Sequence, residues 1–287
     1  MKQEIWFIIN PTSGISNKKR IENQIKNYLD SSKYSYTILY TNYAGHGSEL
    51  AKQAISEKVN VICAVGGDGT VHEIAVTLIH SNVKLAIIPS GSGNGFARHF
   101  GISECVKKSI ETINKGCFTL IDTAKINDIP FVQVAGVGYD AKIAFDMVNN
   151  RFRGLLKYIY LIVKSYFQYE GITIQIQHKI DRYFMATIAN TKEFGNGFKI
   201  SPTSHASDGK LELILVKKPP IYDFPWMTFR FLFGTSSRSK YVETIHVEEI
   251  TFSTNSKHFQ MDGEGFLNKF IELHFQIVPN SLFVIHP

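Results

Sequence analysis

Val61-Ile62-Cys63-Ala64-Val65 leads directly into Gly66-Gly67-Asp68-Gly69-Thr70, and that into Val71-His72-Glu73-Ile74-Ala75. The opening residues are apolar and largely β-branched, the pattern of a short strand buried on both faces. Glycines at 66, 67 and 69 end the extended run, because they admit a sharp turn and a close backbone approach that other residues resist. Past the turn, Val71, Ile74, Ala75, Leu78 and Ile79 recur at helical spacing and predict a helix over 70–80 with Thr70 as its cap. Strand, glycine turn and helix in that order form half of a βαβ unit, so the stretch points to a parallel sheet.

Working outward, 4–10, 35–41 and 84–89 read as further strands, and 17–30, 48–57 and 103–115 as helices. The first part of the chain is therefore expected to be an α/β domain whose ligand loops lie at the C-terminal ends of its strands. From Phe118 onward the pattern changes. Segments 118–126, 131–137, 172–179, 182–190, 210–216, 246–253, 259–261, 270–276 and 281–286 are short, β-branched and aromatic, and are bounded by Asn, Asp, Gly or Pro. The clearest helix among them is 154–168, with Leu155, Leu156, Ile159, Ile162 and Val163 suited to wall an acyl-chain pocket. The expected fold class is α/β plus β: a parallel-sheet domain over 1–127 joined to a β-sandwich-like domain over 128–279.

Composition narrows the function classes. With 44% hydrophobic and 20% charged residues among 287, the chain has ample material for packed cores, and disorder is excluded as its main state. Cys63, Cys105 and Cys117 match no zinc or redox spacing, and the apolar run 5–9 is too brief for a signal-peptide core. A reduced, cytoplasmic setting is expected. No stretch reaches the length of a membrane span. The net charge of +6 leaves anionic partners open: nucleotide, lipid headgroups or nucleic acid.

Two more loops join 66–70. Pro89-Ser90-Gly91-Ser92-Gly93-Asn94-Gly95 follows the strand at 84–89, and Asn10-Pro11-Thr12-Ser13-Gly14 follows the strand at 4–10. Alternating glycines and hydroxyls at strand ends make an anion cradle of backbone N–H groups, completed by the positive end of the next helix. Neither a Walker loop nor the Gly-x-Gly-x-x-Gly spacing of dinucleotide folds is present. Asp68, set among those donors, suits a role toward metal-bound water or substrate.

These loops, with Glu73 and with Ala97-Arg98 after the second, resemble the diacylglycerol kinase catalytic family, which also embraces sphingosine and ceramide kinases. The resemblance extends through Asp122 and Asn127 into Ala135-Gly136-Val137-Gly138-Tyr139-Asp140-Ala141. It continues through Ala189-Asn190, Phe194-Gly195-Asn196-Gly197-Phe198, Ser207-Asp208-Gly209-Lys210-Leu211-Glu212 and Gln260-Met261-Asp262-Gly263-Glu264. It implies an ATP- and Mg²⁺-dependent kinase acting on a lipid hydroxyl in a cleft between two domains, with residues 280–287 returning to the first. Carried over residue by residue, Asn10, Pro11, Ser13, Gly14, Thr41, Gly66, Gly67, Asp68, Gly69, Thr70, Glu73, Ser92 and Asn94 would contact ATP or support its loops. Asp122, Asp140 and Asn190 would serve the lipid, and Asp208 with the Lys210 backbone would hold a metal. Asp68 and either Asp262 or Glu264 would supply the catalytic carboxylates.

Chemistry agrees, since transfer to an alcohol needs a carboxylate within reach of the hydroxyl proton. Gly95 stands where many diacylglycerol-type members carry an acid, so a sphingoid base or ceramide competes as acceptor. NAD kinase and a non-catalytic lipid-binding protein are the further alternatives. Residues 219–241 mix Ile221, Tyr222, Trp226, Phe229 and Phe233 with Arg230, Arg238 and Lys240, a combination that suits peripheral contact with an anionic membrane as well as packing on the β domain. Lipid and membrane thus account for the basic surplus and nucleic acid loses its support; homodimerisation is left open.

Overall fold

The computed structural model describes residues 2–14, 18–149 and 155–287, and of residues 148, 149, 155–159 and 161 the backbone alone. The chain divides into two compact units: Met1–Thr123 with Gly195–Gly197 and Pro279–Pro287, and Ala124–Phe194 with Phe198–Val278. The sequence places the boundary at 127/128; the structure places it at 123/124, inside a strand.

The first unit alternates strand and helix: β1 (Gln3–Ile9), α1 (Lys18–Tyr28), β2 (Tyr34–Tyr40), α2 (His46–Ser56), β3 (Val61–Gly66), α3 (Asp68–Leu78), β4 (Lys84–Pro89), α4 (Gly95–His99), α5 (Val106–Lys115) and the start of β5 (Phe118–Ile126). β1 to β4 are parallel in the order β2-β1-β3-β4. Ile9 lies opposite both Tyr40 and Val65, and Gly66 lies opposite Pro89. All four strands therefore end level, and the loops that follow them leave from one edge. One face packs Ile5, Phe7, Val61 and Ile88 against Ile21 and Ile25 of α1 and Ile110 and Ile113 of α5, the i, i+4 and i, i+3 stripes the sequence carries.

Helix α3 starts at Asp68, two residues earlier than its periodicity predicts, with Gly67 as an extended N-cap and no side-chain cap. Thr70 does not cap it, because its hydroxyl accepts a hydrogen bond from Asn10 Nδ2 (3.0 Å).

The second unit continues with β6 (Ile129–Phe131), β7 (Val134–Gly138), α6 (Tyr139–Asn149), α7 (Leu155–Gln168), β8 (Ile172–Ile176), β9 (Lys179–Tyr183), β10 (Met185–Ala189), β11 (Glu193–Gly195) and β12 (Phe198–Lys199). It goes on with β13 (Leu211–Val216), α8 (Phe224–Leu232), a 3-10 turn at Ser236–Arg238, β14 (Val242–Val247), β15 (Glu249–Thr254), β16 (His258–Met261), β17 (Glu264–Leu267) and β18 (Glu272–Ile285). One antiparallel sheet runs β14-β13-β10-β7-β16-β17, and β15 pairs with β8 and with the first half of β18. Strand alternation sends Ala135, Val137, Ile188, Leu213 and Phe259 toward Ile174, Phe252, Leu273 and Phe275 as the sandwich core. The opposite set, Val134, Met185, Ile214 and Val216, meets Tyr139 and Ile143 of α6, Tyr166 of α7 and Phe224, Met227 and Phe231 of α8. Gly154, the predicted start of α7, and the side chains of Leu155, Leu156 and Ile159 lie outside the described residues; Ile162 is half-buried and Val163 exposed.

Two predicted strands differ instructively. The run 131–137 breaks between β6 and β7 because the N–H groups of Val132, Gln133 and Val134 all turn to the Asp262 carboxylate. The runs 270–276 and 281–286 fuse into β18, whose end pairs in parallel with β4 at Val284 and Leu85 in the first unit. Asp122, expected to serve the lipid, holds that return: it is buried and its Oδ1 accepts the Asn280 N–H (2.8 Å) at a left-handed residue. Asp122→Ala strands that buried N–H, which costs about 1–3 kcal/mol and should lower the melting temperature by roughly 5 °C. Thermal unfolding with acceptor KM measured in parallel checks this: a raised KM with unchanged melting would return Asp122 to the substrate site.

Candidate active site

In the first unit the loops after β1, β3 and β4 are mutually wedged. A Cβ on Gly91 would sit 2.5 Å from the Gly67 Cα, so the two loops touch through bare backbone and neither position tolerates a side chain. Ser90 N–H donates to the Gly66 carbonyl (2.7 Å). Asn94, buried and left-handed, accepts from Gly91 N–H and donates to Gly91 O, both at 2.9 Å; it shapes the loop, and one N–H and one lone pair of its amide remain beyond these two bonds. Asn10 and Thr70 bond to each other as described, and Ser13 Oγ donates to Asn10 O (3.0 Å). Pro11, Gly14 and Ser92 are exposed on the loops, and Thr41 is buried at the end of β2, its N–H on Ile9 O.

Asp68 occupies the first turn of α3, where a carboxylate is favoured by the helix dipole. The Phe96 N–H reaches its Oδ1 at 3.4 Å, and a Cβ on Gly93 would stand 2.7 Å from its Oδ2. Glu73 works behind the loops: its carboxylate oxygens accept the N–H groups of Gly45 and Gly47 (2.8 and 3.1 Å) at the start of α2, and its carbonyl accepts Ser48 Oγ.

One residue of this edge escapes the sequence reading, which assigns the cradle no lysine. Lys18 Nζ lies 2.6 Å from the Ser13 carbonyl and 3.4 Å from Ser90 Oγ, at the meeting of two loops. Partial burial holds its pKa below the usual lysine value. Its signal was available: Lys18, Lys19 and Arg20 open α1 with no acid in the first turn, a placement the helix dipole disfavours unless an anion is near.

In the second unit the predicted residues gather around β7, β10 and β16. Thr187, Gly136 and Gln260 are register partners across the three strands. Above that row sits Asp140 in the first turn of α6. Its Oδ2 accepts Thr187 Oγ1 (2.9 Å) and Gln260 Nε2 (3.3 Å), while its Oδ1 and Gln260 Oε1 are buried with no hydrogen-bond partner. Burial pushes the Asp140 carboxyl up to about 6, and the hydroxyl and nearby N–H groups offset only part of that. Two orphaned acceptors side by side are complementary to a ligand that brings donors, such as a hydroxyl or an amine. Asn190, also buried, donates Nδ2 to Val132 O (2.9 Å) and so braces the segment that Asp262 holds.

Asp262 and Glu264, equivalent candidates in sequence, have different environments. Asp262 is buried, and its carboxylate accepts the Val132, Gln133 and Val134 N–H groups at 2.8–3.0 Å; that is the geometry of a structural brace. Glu264 opens β17 and is exposed. At the expected metal loop, Asp208 is exposed and its Oδ1 already accepts the Lys210 N–H (3.0 Å). Among the described residues no group of three His, Cys, Asp or Glu side chains is placed to hold a metal. One carboxylate engaged in its own turn does not fit a resident hard cation, and no role is derived for a metal at that loop.

Family models match both units. The diacylglycerol kinase catalytic domain covers residues 4–126, and the YegS C-terminal NAD kinase beta sandwich-like domain covers 133–286. The chain belongs to the diacylglycerol kinase family of lipid kinases. A diacylglycerol kinase of Bacillus subtilis (strain 168) is 26% identical across 94% of each chain. A crystal structure of a diacylglycerol kinase from Bacillus anthracis superposes with a TM-score of 0.76 at 21% identity, over 99% of this chain and 97% of that one. An NAD kinase from Archaeoglobus fulgidus in complex with ATP shares the fold at 14% identity and a TM-score of 0.53, over 98% and 93% of the two chains. Within this lipid kinase, no helix of the described residues is long and apolar enough to cross a membrane.

Asp140 also makes a stability prediction. Its folded-state pKa is raised from 3.8 to about 6, so the folded state binds the extra proton between those values and stability falls as pH rises through that window, then levels off. Asp140→Asn removes the penalty, and should stabilise the protein at pH 7 by on the order of 3 kcal/mol while flattening the pH 4–6 slope. Chemical denaturation across pH measures both effects; an unchanged slope means that Asp140 titrates normally.

Proposed function

We propose that this lipid kinase transfers the γ-phosphoryl group of ATP, supplied as its Mg²⁺ complex, to the hydroxyl of a diacylglycerol-like lipid. The observation that carries the reading is the contact between Gly67 and Gly91, which brings two loops and the N-terminus of α3 to a single sheet edge with no side chain between the two glycines. Such a surface receives a triphosphate. Mg²⁺ bound to that triphosphate offsets its charge, and Asp68 is the carboxylate nearest the loop backbone to orient the metal's water. Lys18 supplies a cation at the cradle, and Ser92 presents its hydroxyl on the loop after β4.

The orphaned Asp140 Oδ1 and Gln260 Oε1 support acceptor binding in the second unit, where a headgroup hydroxyl would satisfy them. Glu264 is the general base: the O–Pγ bond forms as the bond from Pγ to the β-phosphate oxygen breaks, and the alcohol proton passes to the Glu264 carboxylate. Asp262 keeps that turn in place. The acceptor reaches the enzyme from a membrane, and contact is peripheral, through the aromatic and basic segment around α8.

Incubation with labelled ATP, Mg²⁺ and diacylglycerol, sphingoid base, ceramide or NAD should label diacylglycerol most strongly; label confined to NADP overturns the lipid assignment. Glu264→Gln should lower kcat by roughly 100-fold or more with unchanged melting, whereas Asp262→Asn should lower the melting temperature. Equal turnover in wild type and Glu264→Gln would remove the base. Lys18→Ala should raise the KM for ATP about 10-fold with acceptor KM unaffected, and an unaltered KM for ATP would reduce Lys18 to a loop brace.

A further inference from the structure

Helix α8 carries apolar residues on two sides. Phe224, Met227 and Phe231 are buried against the β sandwich, which fixes the helix. A second stripe, Trp226, Phe229 and Phe233, faces outward and is 56%, 44% and 63% exposed. Its rings stack on one another, with centroids 5.3 Å apart from Trp226 to Phe229 and 4.1 Å from Phe229 to Phe233. Tyr222, just before the helix, is 77% exposed. Water-facing aromatic ladders of this extent mark a contact surface.

Beside the ladder lies a concavity of about 280 Å³ whose walls include Trp226, Arg230, Arg238, Ser239, Lys240 and Tyr241. The single carboxylate at its rim, Asp223, is taken by the Tyr241 hydroxyl at 2.5 Å. Lys240 leans on the Tyr241 hydroxyl and, behind it, on the Asp223 carboxylate, which together hold its pKa above the usual lysine value. Arg230 rests its guanidinium on the Trp226 ring at 5.6 Å and donates Nη1 to Thr235 O at 3.3 Å, and Lys240 Nζ stands 5.0 Å from the Tyr241 ring centre. Aromatic rings thus align the Arg230 and Lys240 side chains.

We infer that this concavity is a headgroup site for an anionic phospholipid of the bilayer, at which the enzyme docks with the Trp226–Phe229–Phe233 ladder inserted beside it. Charge complementarity selects the occupant: two arginines and a lysine against one carboxylate leave the hollow net positive, which matches a phosphate that arginine holds through paired N–H groups. The volume admits a headgroup and is too small for a whole lipid. An adjoining stripe of tryptophan and phenylalanine belongs at the boundary between headgroups and acyl chains. Its lining shares no residue with the acceptor group Asp140 and Gln260 or with the nucleotide loops. It rests on the membrane contact proposed above, and its test requires neither nucleotide nor acceptor, so its failure leaves the kinase assignment standing.

Co-sedimentation of the full chain with phosphatidylglycerol/phosphatidylcholine vesicles and with pure phosphatidylcholine vesicles measures the site. Wild type should prefer the anionic vesicles. Arg238→Ala and Lys240→Ala, both at exposed positions away from the core, should each weaken that binding about 5-fold, and the pair together with Arg230→Ala should abolish the preference. Lys52→Ala and Lys108→Ala, exposed lysines of the first unit, should leave binding unchanged. Trp226→Ala should weaken binding to both vesicle types. Losses of equal size in the Lys52, Lys108, Arg238 and Lys240 variants would mean diffuse attraction by net charge and overturn the site. Vesicle binding indifferent to all these changes, or self-association that Trp226→Ala abolishes, would overturn it in favour of a protein partner or a second copy.

Discussion

The carboxylate of Asp262 takes three consecutive backbone N–H groups, those of Val132, Gln133 and Val134, and much of the second unit follows from that. A buried carboxylate is costly to desolvate, and convergent N–H donors are a neutral way to satisfy it. Meeting them forces the chain out of strand geometry between β6 and β7 and fixes the register of β16 on β7. Register then decides chemistry: Gln260 lies opposite Gly136, next to Thr187, and the three form the floor on which Asp140 stands. The same turn exposes Glu264 at the start of β17. A carboxylate that looks catalytic in sequence thus orders the residues around it, while its neighbour two positions on stays exposed.

The first unit obeys a different constraint. Parallel strands that end level deliver their loops to one edge, and those loops can pack only if backbone meets backbone. Gly67 and Gly91 satisfy that requirement, while Glu73 ties α3 to the start of α2 from behind. Rigid support under a surface of backbone donors is what phosphate binding demands, since donors that must reorganise on binding contribute less. Lys18 adds charge where the glycines add only shape.

Asp140 and α8 show stability given up for function in two ways. The fold keeps a carboxyl buried beside an amide oxygen that lacks a donor, an arrangement that an apolar pair would improve. It likewise leaves a stacked aromatic ladder in water above a well-packed helix. Neither feature helps the protein fold, and both are complementary to parts of a lipid.

Much of this was legible in the linear chain, because strands buried on both faces, helical stripes and glycine turns each have a local period or composition. The α/β first half, the β-rich second half and the three glycine loops all rest on such signals. Roles that depend on partners distant in sequence were not legible. Asp122 reads as a site residue until Asn280 is seen on it, Thr70 reads as a cap until Asn10 claims its hydroxyl, and Lys18 reads as a surface lysine until Ser13 and Ser90 surround it. By itself the sequence determined the elements, their order and the chemical groups available at the loops, since these follow from neighbours within a few residues. Only the tertiary structure decided which carboxylates are engaged in holding the fold, because a carboxylate's role is set by the donors packed around it, and those come from segments distant in sequence, as Val132–Val134 do for Asp262.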